Sequence, residues 1–211
     1  MVIGEADEAC NGVFEARAAE LKSRVIYAEK VFGVEAQRPE GNGQYFEVVR
    51  HRDGHRFCLT LGLAGNYQRR NIITACAVAD YLHEETPLTI SRRAFVDGVR
   101  NVAELTSLQG RWQTIGTDPC IICDTGHNAH GLKYVTEQLK ASRYERLYCV
   151  LGFVKDKNLD EILPLFPKEA YYIFTQAGVE RAVAAADLAA RAETFGLHGE
   201  TVDTVAKALS L

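Results

Sequence analysis

Residues 120–139 constrain the fold of this chain more than any other stretch, because they combine three structural signals. Residues 121–123 form a short apolar run, which is typical of a buried strand covered on both faces. Residues 124–128 then read DTGHN and crowd a carboxylate, a hydroxyl, a glycine, an imidazole and an amide into one turn. Apolar residues recur beyond the turn at spacings of three and four: Leu132, Val135 and Leu139. This spacing predicts one face of a helix, so the segment is a strand, a tight turn and a helix.

The polar turn at residues 124–128 is a candidate binding site. Polar groups between the carboxyl end of a strand and a helix lie where open α/β sheets bind their ligands. The free N–H groups and the positive dipole end of the helix favour an anion there. A purely structural role is the alternative, with Asp124 or Thr125 as a helix cap and with His127 and Asn128 as turn residues.

The overall composition indicates a globular chain with a packed core. Its 211 residues are 47% hydrophobic and 25% charged, which allows one large domain or two small ones. The net charge of −4 and the pI near 5.9 argue against a broad nucleic-acid-binding surface. No apolar run reaches membrane-spanning length and no signal peptide opens the chain. We therefore expect no nucleic-acid partner, no membrane partner and a cytoplasmic location.

The six cysteines are scattered, mostly within apolar segments, which predicts reduced and buried thiols. Cys120 and Cys123 form a CxxC pair, but no second CxxC and no HxxxH accompanies it. Alternate side chains of a strand point to opposite faces, so positions three apart diverge. The sequence therefore disfavours a metal or redox site here, and we predict no metal ligands in this chain.

A change of pattern near residue 104 predicts two domains, residues 1–104 and residues 105–211. Beyond the boundary, strands at 120–123, 146–151 and 170–175 alternate with helices. This alternation predicts an α/β fold with a Rossmann-like, mostly parallel sheet and flanking helices. Polar groups follow the strands, and we expect them to share one edge of the sheet. They are Asp124 and His127, Asp156 and Lys157, and Thr175 and Arg181.

The region before residue 104 combines predicted helices with a hairpin. Apolar periodicity predicts helices over residues 6–22, 67–83 and 91–101. The buried positions of the first helix are expected to be Val13, Phe14, Ala18 and Leu21. Two strand-like runs, 44–49 and 56–61, flank the pair Asp53-Gly54, which is typical of a hairpin turn. Residues 2–5 resemble a strand already inside a sheet, so we expect this region to be part of a larger domain.

Four short patterns follow one another along the chain. Residues 65–71 have the form G-x-Y-Q-x-x-N, residues 110–113 read GRWQ, residues 124–128 read DTGHN, and residues 156–158 read DKN. In this order and spacing they resemble the folylpolyglutamate synthase/dihydrofolate synthase family of the Mur ligase superfamily, over the whole chain. Two positions depart from the family pattern: Tyr67 stands where most members have His, and Ala129 where most have Pro.

The phosphate-binding loop of that family does not occur in this sequence, which contains no G-x-x-x-x-G-K-[ST] pattern. In the family this loop, the magnesium ligands and the pterin-binding segments precede a strand such as residues 2–5. The resemblance therefore implies that residues 1–104 are the C-terminal part of a P-loop ATPase-type domain. It also implies that residues 105–211 are the glutamate ligase domain, and that the missing N-terminal ATPase half is a partner of this chain.

The resemblance implies an ATP-dependent carbon–nitrogen ligase. ATP phosphorylates the carboxylate of dihydropteroate or a folate, the amine of L-glutamate attacks the acyl phosphate, and ADP and phosphate leave. The implied cofactors are ATP and Mg²⁺, with the metal ligands expected in the N-terminal half. Without the phosphate loop, we expect the chain alone to be inactive.

Asn71, Arg111 and Asp124 match the family's ATP-contacting Asn, Arg and Asp. The guanidinium of Arg111 is a fixed, always charged fork that suits phosphate, and a surface salt bridge is its alternative role. Asn71 carries a donor and an acceptor, which suits an adenine edge. Asp124 would accept a hydrogen bond from a ribose hydroxyl, or it would orient Arg111.

His127 and Lys157 are the candidate catalytic residues, and His127, Asn128 and Asp156 are the candidate substrate-binding residues. His127 would face the transferred phosphate or the incoming glutamate, and its alternative role is a capping or core histidine. Lys157 would meet a carboxylate or a phosphate, and its alternative role is a solvated loop lysine.

Two other functions stay open from the sequence. A Mur-type peptidoglycan ligase would join an amino acid to a nucleotide-linked precursor, although the GRWQ and DTGHN patterns favour the folate enzymes. A non-catalytic Rossmann-like binding module is the second alternative. The missing phosphate loop favours it, whereas an opening strand without preceding partners favours part of a larger enzyme.

Overall fold

The computed structural model describes residues 1–211, which form two compact units, Met1–Asp124 and Thr125–Leu211. The predicted boundary after residue 104 lies earlier in the chain and stays a prediction of the domain organisation. The strands of the first unit are β1 (Val2–Ile3), β2 (Ile26–Tyr27), β3 (Phe32–Glu40), β4 (Gly43–Arg50), β5 (His55–Leu61), β6 (Gln113–Thr117) and β7 (Cys120–Cys123). Its helices are α1 (Glu8–Glu20), α2 (Ala28–Val31), α3 (Gln68–Glu85), α4 (Arg92–Arg100) and α5 (Val102–Thr106).

Strands β3, β4 and β5 form an antiparallel sheet in that order. The turn between β4 and β5 contains Gly54 at φ +68°, which confirms the hairpin predicted from the Asp-Gly pair. One face of this sheet packs with helix α3 into the core of the unit, around the fully buried Phe46, Val48 and Ile72. Strand β3 was not predicted, because its second half is polar and contains Pro39.

Helix α1 presents to solvent most of the residues that were predicted to be buried. Only Ala18 is buried, whereas Val13, Phe14 and Leu21 are exposed, Val13 by 69%. That part of the prediction is therefore wrong for this structure. Apolar spacing shows which residues share a helix face, but a neighbouring element has to cover that face before it is buried.

Strands β6 and β7 form an antiparallel hairpin of their own. The prediction that residues 120–123 are a strand is confirmed, but their placement in a parallel sheet, covered on both faces, is wrong. Cys120 and Ile122 are exposed, and β7 pairs only with β6. The reason is that the polar strand β6 carries no apolar signal, so the sequence did not reveal the partner that makes this pair antiparallel.

The second unit is an α/β unit with a parallel sheet, as the sequence predicted. Its strands are β8 (Tyr148–Leu151), β9 (Tyr171–Phe174) and β10 (Gly199–Thr201), and their order in the sheet is β10-β9-β8. Its helices are α6 (Ala129–Ala141), α7 (Leu159–Ile162), α8 (Ala185–Glu193) and α9 (Val205–Ala208), with a 3-10 turn at Leu163–Leu165. The central strand β9 buries Tyr172 and Phe174.

The prediction that the cysteines are buried holds for only part of the set. Cys76 and Cys149 are buried, Cys123 is half-buried, and the other three are exposed: Cys10, Cys58 and Cys120. All six are free thiols. None of the helices is both long and apolar enough to cross a bilayer.

Candidate functional site

Three of the four sequence motifs meet at the carboxylate of Asp124. Its Oδ2 atom accepts a hydrogen bond from the hydroxyl of Tyr67 at 2.8 Å and another from the backbone N–H of Trp112 at 2.8 Å. Tyr67 belongs to the G-x-Y-Q-x-x-N segment, Trp112 to GRWQ and Asp124 to DTGHN. One oxygen therefore joins segments that are far apart in the sequence, since Tyr67 and Asp124 are 57 positions apart.

The position of Tyr67 is set by the loop before helix α3. The backbone N–H of Gln68 donates to the carbonyl of Gly65 at 3.0 Å, which closes the turn into the helix. A Cβ atom on Gly65 would lie 2.5 Å from Cε1 of the Tyr67 ring, a separation that real contacts do not show. The glycine of this motif is therefore required because the ring lies against its backbone.

Two amide side chains in the first turn of helix α3, Gln68 and Asn71, bond to each other. Nδ2 of Asn71 donates to Oε1 of Gln68 at 2.8 Å. Gln68 is buried. Asn71 is exposed, and its Oδ1 atom accepts no hydrogen bond. Asn71 thus offers solvent an acceptor and its second N–H, the pair of groups that an adenine edge requires.

Residues 110–113, here named the arginine turn, have two residues with left-handed backbone conformations. Gly110 has φ +69°, and Trp112 has φ +49°. Gly110 donates its N–H to Oε1 of Gln113 at 2.9 Å, and Nη1 of Arg111 donates to the carbonyl of Gly110 at 3.2 Å. A positive φ is unfavourable for a residue with a Cβ, so the bond from Trp112 to Asp124 stabilises a strained turn.

The hydroxyl of Tyr67 remains a donor at ordinary pH. Burial raises the pKa of this phenol, and the hydrogen bond to Asp124 and its negative charge raise it further. The guanidinium of Arg111 is close enough to oppose this change. The protonated phenol therefore donates to Asp124, and Arg111 carries its charge beside them.

In the second unit, His127 and Asn128 lie at the start of helix α6. Oδ1 of Asn128 accepts from the N–H of Gly131 at 2.7 Å, so Asn128 is the helix cap. Nδ1 of His127 lies 3.1 Å from the carbonyl oxygen of Thr125, which can only accept a hydrogen bond. Nδ1 therefore carries the proton in this contact. The His127 side chain is exposed.

The loop after strand β8 brings Asp156 together with two cations. Oδ2 of Asp156 lies 3.0 Å from Nζ of Lys157, and Oδ1 lies 3.8 Å from Nη1 of Arg181. Lys157 and, less strongly, Arg181 lower the pKa of this exposed carboxyl. The bridge between Val154 and Ala182 holds the two loops side by side. His127 makes no hydrogen bond or ion pair with Asp156 or Lys157.

Thr175 in the second unit has a buried hydroxyl. Thr175 follows strand β9 and is only 2% exposed, yet its hydroxyl makes no hydrogen bond. Its carbonyl oxygen would lie 3.0 Å from a Cβ on Gly152, the first residue after β8. The sequence placed Thr175 at the edge of the sheet, but only the structure shows a buried hydroxyl without a partner.

No three His, Cys, Asp or Glu side chains of residues 1–211 lie together in a group that could hold a metal ion. The predicted nucleotide residues, Asn71, Arg111 and Asp124, all lie in the first unit. Tyr67 donates to Asp124, and Asn71 donates to Gln68, the residue after Tyr67. The predicted catalytic and substrate residues, His127, Asn128, Asp156 and Lys157, all lie in the second unit.

Comparisons with known proteins show what this chain is similar to. The family described as "Mur ligase, glutamate ligase domain" matches residues 110–211. A probable bifunctional folylpolyglutamate synthase/dihydropteroate synthase of Haloferax volcanii is 28% identical over 140 residues, which cover 66% of this chain and 16% of that protein.

Solved structures resemble the chain over nearly its whole length. The Mycobacterium tuberculosis folylpolyglutamate synthase complexed with ADP matches with a TM-score of 0.82 at 21% identity, over 99% of this chain and 46% of that one. The bifunctional folylpolyglutamate synthase/dihydrofolate synthase of Yersinia pestis, complexed with AMPPNP and Mn ion, matches with a TM-score of 0.70 at 22% identity. That match covers 99% of this chain and 45% of the Yersinia pestis chain. The chain thus spans about half the length of these structures.

Residues 110–211 therefore match the glutamate ligase domain of the Mur ligases. The chain is similar to a C-terminal portion of the folylpolyglutamate and dihydrofolate synthases, which confirms the resemblance drawn from the four motifs.

Proposed function

We propose that this chain is the C-terminal portion of an ATP-dependent folate ligase. The enzyme would join L-glutamate to dihydropteroate or a folate through an acyl phosphate and release ADP and phosphate. The observation that carries the proposal is the convergence of Tyr67, Trp112 and Asp124, because it joins three of the family's motifs through one carboxylate oxygen. The curated relatives are named as folate enzymes, which favours this substrate class over a peptidoglycan precursor.

The first unit would hold the nucleotide. Arg111 supplies a permanent positive charge for phosphate oxygens, and Asn71 supplies an exposed amide for the base. Asp124 would act mainly by holding the arginine turn, since its Oδ2 atom already accepts two hydrogen bonds. These groups fit a nucleoside phosphate. The Mg²⁺ that accompanies ATP would be held by residues of the N-terminal ATPase half.

The second unit would bind the amino-acid substrate. Glutamate has two carboxylates and one ammonium group, and the loops after β8 and β9 offer two cations around one carboxylate. Lys157 would bind a carboxylate of glutamate or a phosphate oxygen, and Asp156 would bind the ammonium group. His127 and Asn128 would contact the substrate from the start of helix α6, with Nε2 of His127 as the group able to accept a proton from the attacking amine.

Calorimetric titration of the chain with ADP tests the nucleotide site. We expect weak binding that Arg111→Ala weakens by about tenfold or more, since charge-assisted hydrogen bonds contribute about 1.5–3 kcal/mol. Asp124→Asn should weaken binding as well, because it changes the acceptor that holds the arginine turn. Lys140→Ala, which removes an exposed cation from the last turn of helix α6 in the second unit, is the matched control and should leave ADP affinity unchanged. ADP binding that survives both changes in the first unit would place the nucleotide elsewhere.

A second experiment separates a ligase portion from a binding module that is complete by itself. The chain alone should show no folate-dependent ATP hydrolysis, because positioning a triphosphate for transfer requires a phosphate loop that this sequence lacks. Folate-dependent turnover by the isolated chain would contradict the proposal.

A further inference from the structure

We propose that Tyr67 is a positioning residue of the nucleotide site: its hydroxyl holds Asp124 against the backbone of Trp112 and so fixes the turn from which Arg111 projects. The positioning of a nucleotide by this turn rests on the proposed function. The contact between Tyr67 and the arginine turn does not, and it is measurable without any ligand.

The geometry makes Tyr67 and Trp112 interdependent. Both donate to the same Oδ2 atom of Asp124, each at 2.8 Å, so the carboxylate is held from two directions. Without the phenol, the carboxylate loses one of these two bonds, and we expect its bond to the Trp112 N–H to weaken. The turn would then lose the bond that compensates the left-handed conformation of Trp112 at φ +49°.

Tyr67 is itself held rigidly enough to serve as a support. Its ring lies against the backbone of Gly65, where no side chain would fit. The next residue, Gln68, is buried at the start of helix α3, and its backbone N–H donates to the carbonyl of Gly65, which holds the backbone on both sides of Tyr67. A tyrosine has only two rotatable side-chain bonds, so little entropy opposes this arrangement.

The chemistry of a phenol keeps this support independent of pH. The charged groups that act on Tyr67 are the carboxylate of Asp124 and the guanidinium of Arg111, and Gln68 is neutral. Burial keeps the pKa of the phenol above its ordinary value, so its proton stays in place through the physiological range. An imidazole at this position would change charge in that range.

The single tryptophan of the chain makes the proposal testable, because Trp112 is the only source of tryptophan fluorescence and lies in the turn itself. In Tyr67→Phe, which keeps the ring and removes only the hydroxyl, we expect red-shifted emission, stronger quenching by acrylamide and an ADP affinity about tenfold lower. In Tyr67→His, we expect emission that changes between about pH 5 and about pH 8, whereas that of the wild type stays constant.

Tyr172→Phe is the matched control. Tyr172 is buried and, like Tyr67, donates its hydroxyl in a hydrogen bond, here to the carbonyl of Pro167, but it lies in the second unit. The Tyr172→Phe variant should be less stable than the wild type, but its Trp112 fluorescence and its ADP affinity should be unchanged. If Tyr67→Phe leaves Trp112 fluorescence and quenching as in the wild type, the proposal is overturned. If the fluorescence changes but the wild-type chain binds no ADP, the positioning of the turn stands and the proposed nucleotide site fails.

Discussion

The side chain of Gln44 donates a hydrogen bond from Nε2 to the carbonyl oxygen of Ala64, 2.5 Å away. The same nitrogen lies 3.1 Å from Oδ1 of Asn66, and Oε1 accepts from Nε2 of Gln37 at 2.9 Å. Gln44 is only 2% exposed, so this strand residue anchors the loop that carries Gly65 and Tyr67. The conformation of the Tyr67 loop thus depends on strand β4 of the antiparallel sheet.

Replacing Gln44 by leucine should destabilise the first unit. Leucine has a similar size but no donor, so the Ala64 carbonyl would lose its partner, at a cost of about 1–3 kcal/mol. Urea unfolding followed by Trp112 fluorescence measures the effect. Gln37→Ala removes a less buried neighbour and should cost less than Gln44→Leu. Equal losses for the two variants would show that the buried donor has no special role.

Two glycine-to-alanine changes should act in opposite directions. Gly65→Ala places a methyl group against the Tyr67 ring and should destabilise the first unit by about 1–3 kcal/mol. Gly12→Ala, in helix α1, meets no atom within 4 Å and should stabilise the helix by about 0.5–1 kcal/mol. Thermal or urea unfolding compares them directly. A stabilising Gly65→Ala would show that the ring of Tyr67 is free to move.

The six thiols should fall into distinct classes in a labelling experiment. Burial raises the pKa of both Cys76 and Cys149 to about 12, so neither thiol is ionised or accessible in the folded protein. Iodoacetamide followed by peptide mass spectrometry should modify Cys10, Cys58 and Cys120 in the native chain. Cys76 and Cys149 should react only in urea. Rapid native labelling of either one would contradict the packing described here.

Protonation of Asp53, in the hairpin turn between β4 and β5, should lower the free energy of unfolding in acid. Hydrogen bonds from Arg50 and from the backbone of His55 lower the pKa of Asp53 to about 2. Since an unfolded Asp has a pKa of about 3.9, the unfolded state binds more protons between these values. This stabilisation is therefore fully present above about pH 4 and is lost as the pH falls toward 2.

Asp53→Asn removes this contribution, so its urea midpoint should fall less steeply than that of the wild type between about pH 5 and about pH 3. Asp97→Asn, which removes an exposed carboxylate from helix α4, controls for the change in net charge. Parallel curves for the wild type and Asp53→Asn would contradict the prediction.

Thr175→Val should raise the stability of the second unit. The buried hydroxyl makes no hydrogen bond, and replacing it with a methyl group of similar shape removes a desolvation cost of about 1–3 kcal/mol. Far-ultraviolet circular dichroism during urea unfolding measures the gain. Thr136→Val is a useful comparison, because that buried hydroxyl donates to the carbonyl of Lys133 and its loss should destabilise. A destabilised Thr175→Val would indicate that the hydroxyl has a partner in solution.

The proposed site could be predicted only in part, and particular residues show why. Asn71, Arg111 and Asp124 were singled out because each lies within a compact motif. The side chains that connect and support them were not recognised as a set. Tyr67 gave a signal only as a departure from the family pattern, and Gln44 gave none, because a buried glutamine cannot be told from a surface one in a strand of alternating residues.

The sequence by itself determined the elements whose signals are local. Helix α6 occupies the predicted residues 129–141, and the turn at Gly54 lies where the Asp-Gly pair indicated, because capping, periodicity and turn preferences act over a few neighbouring residues. Only the tertiary structure decided that β7 pairs with β6 and that Tyr67 meets Asp124. Strand pairing and contacts across 57 residues depend on which surfaces meet when the chain folds, and no local pattern records that outcome.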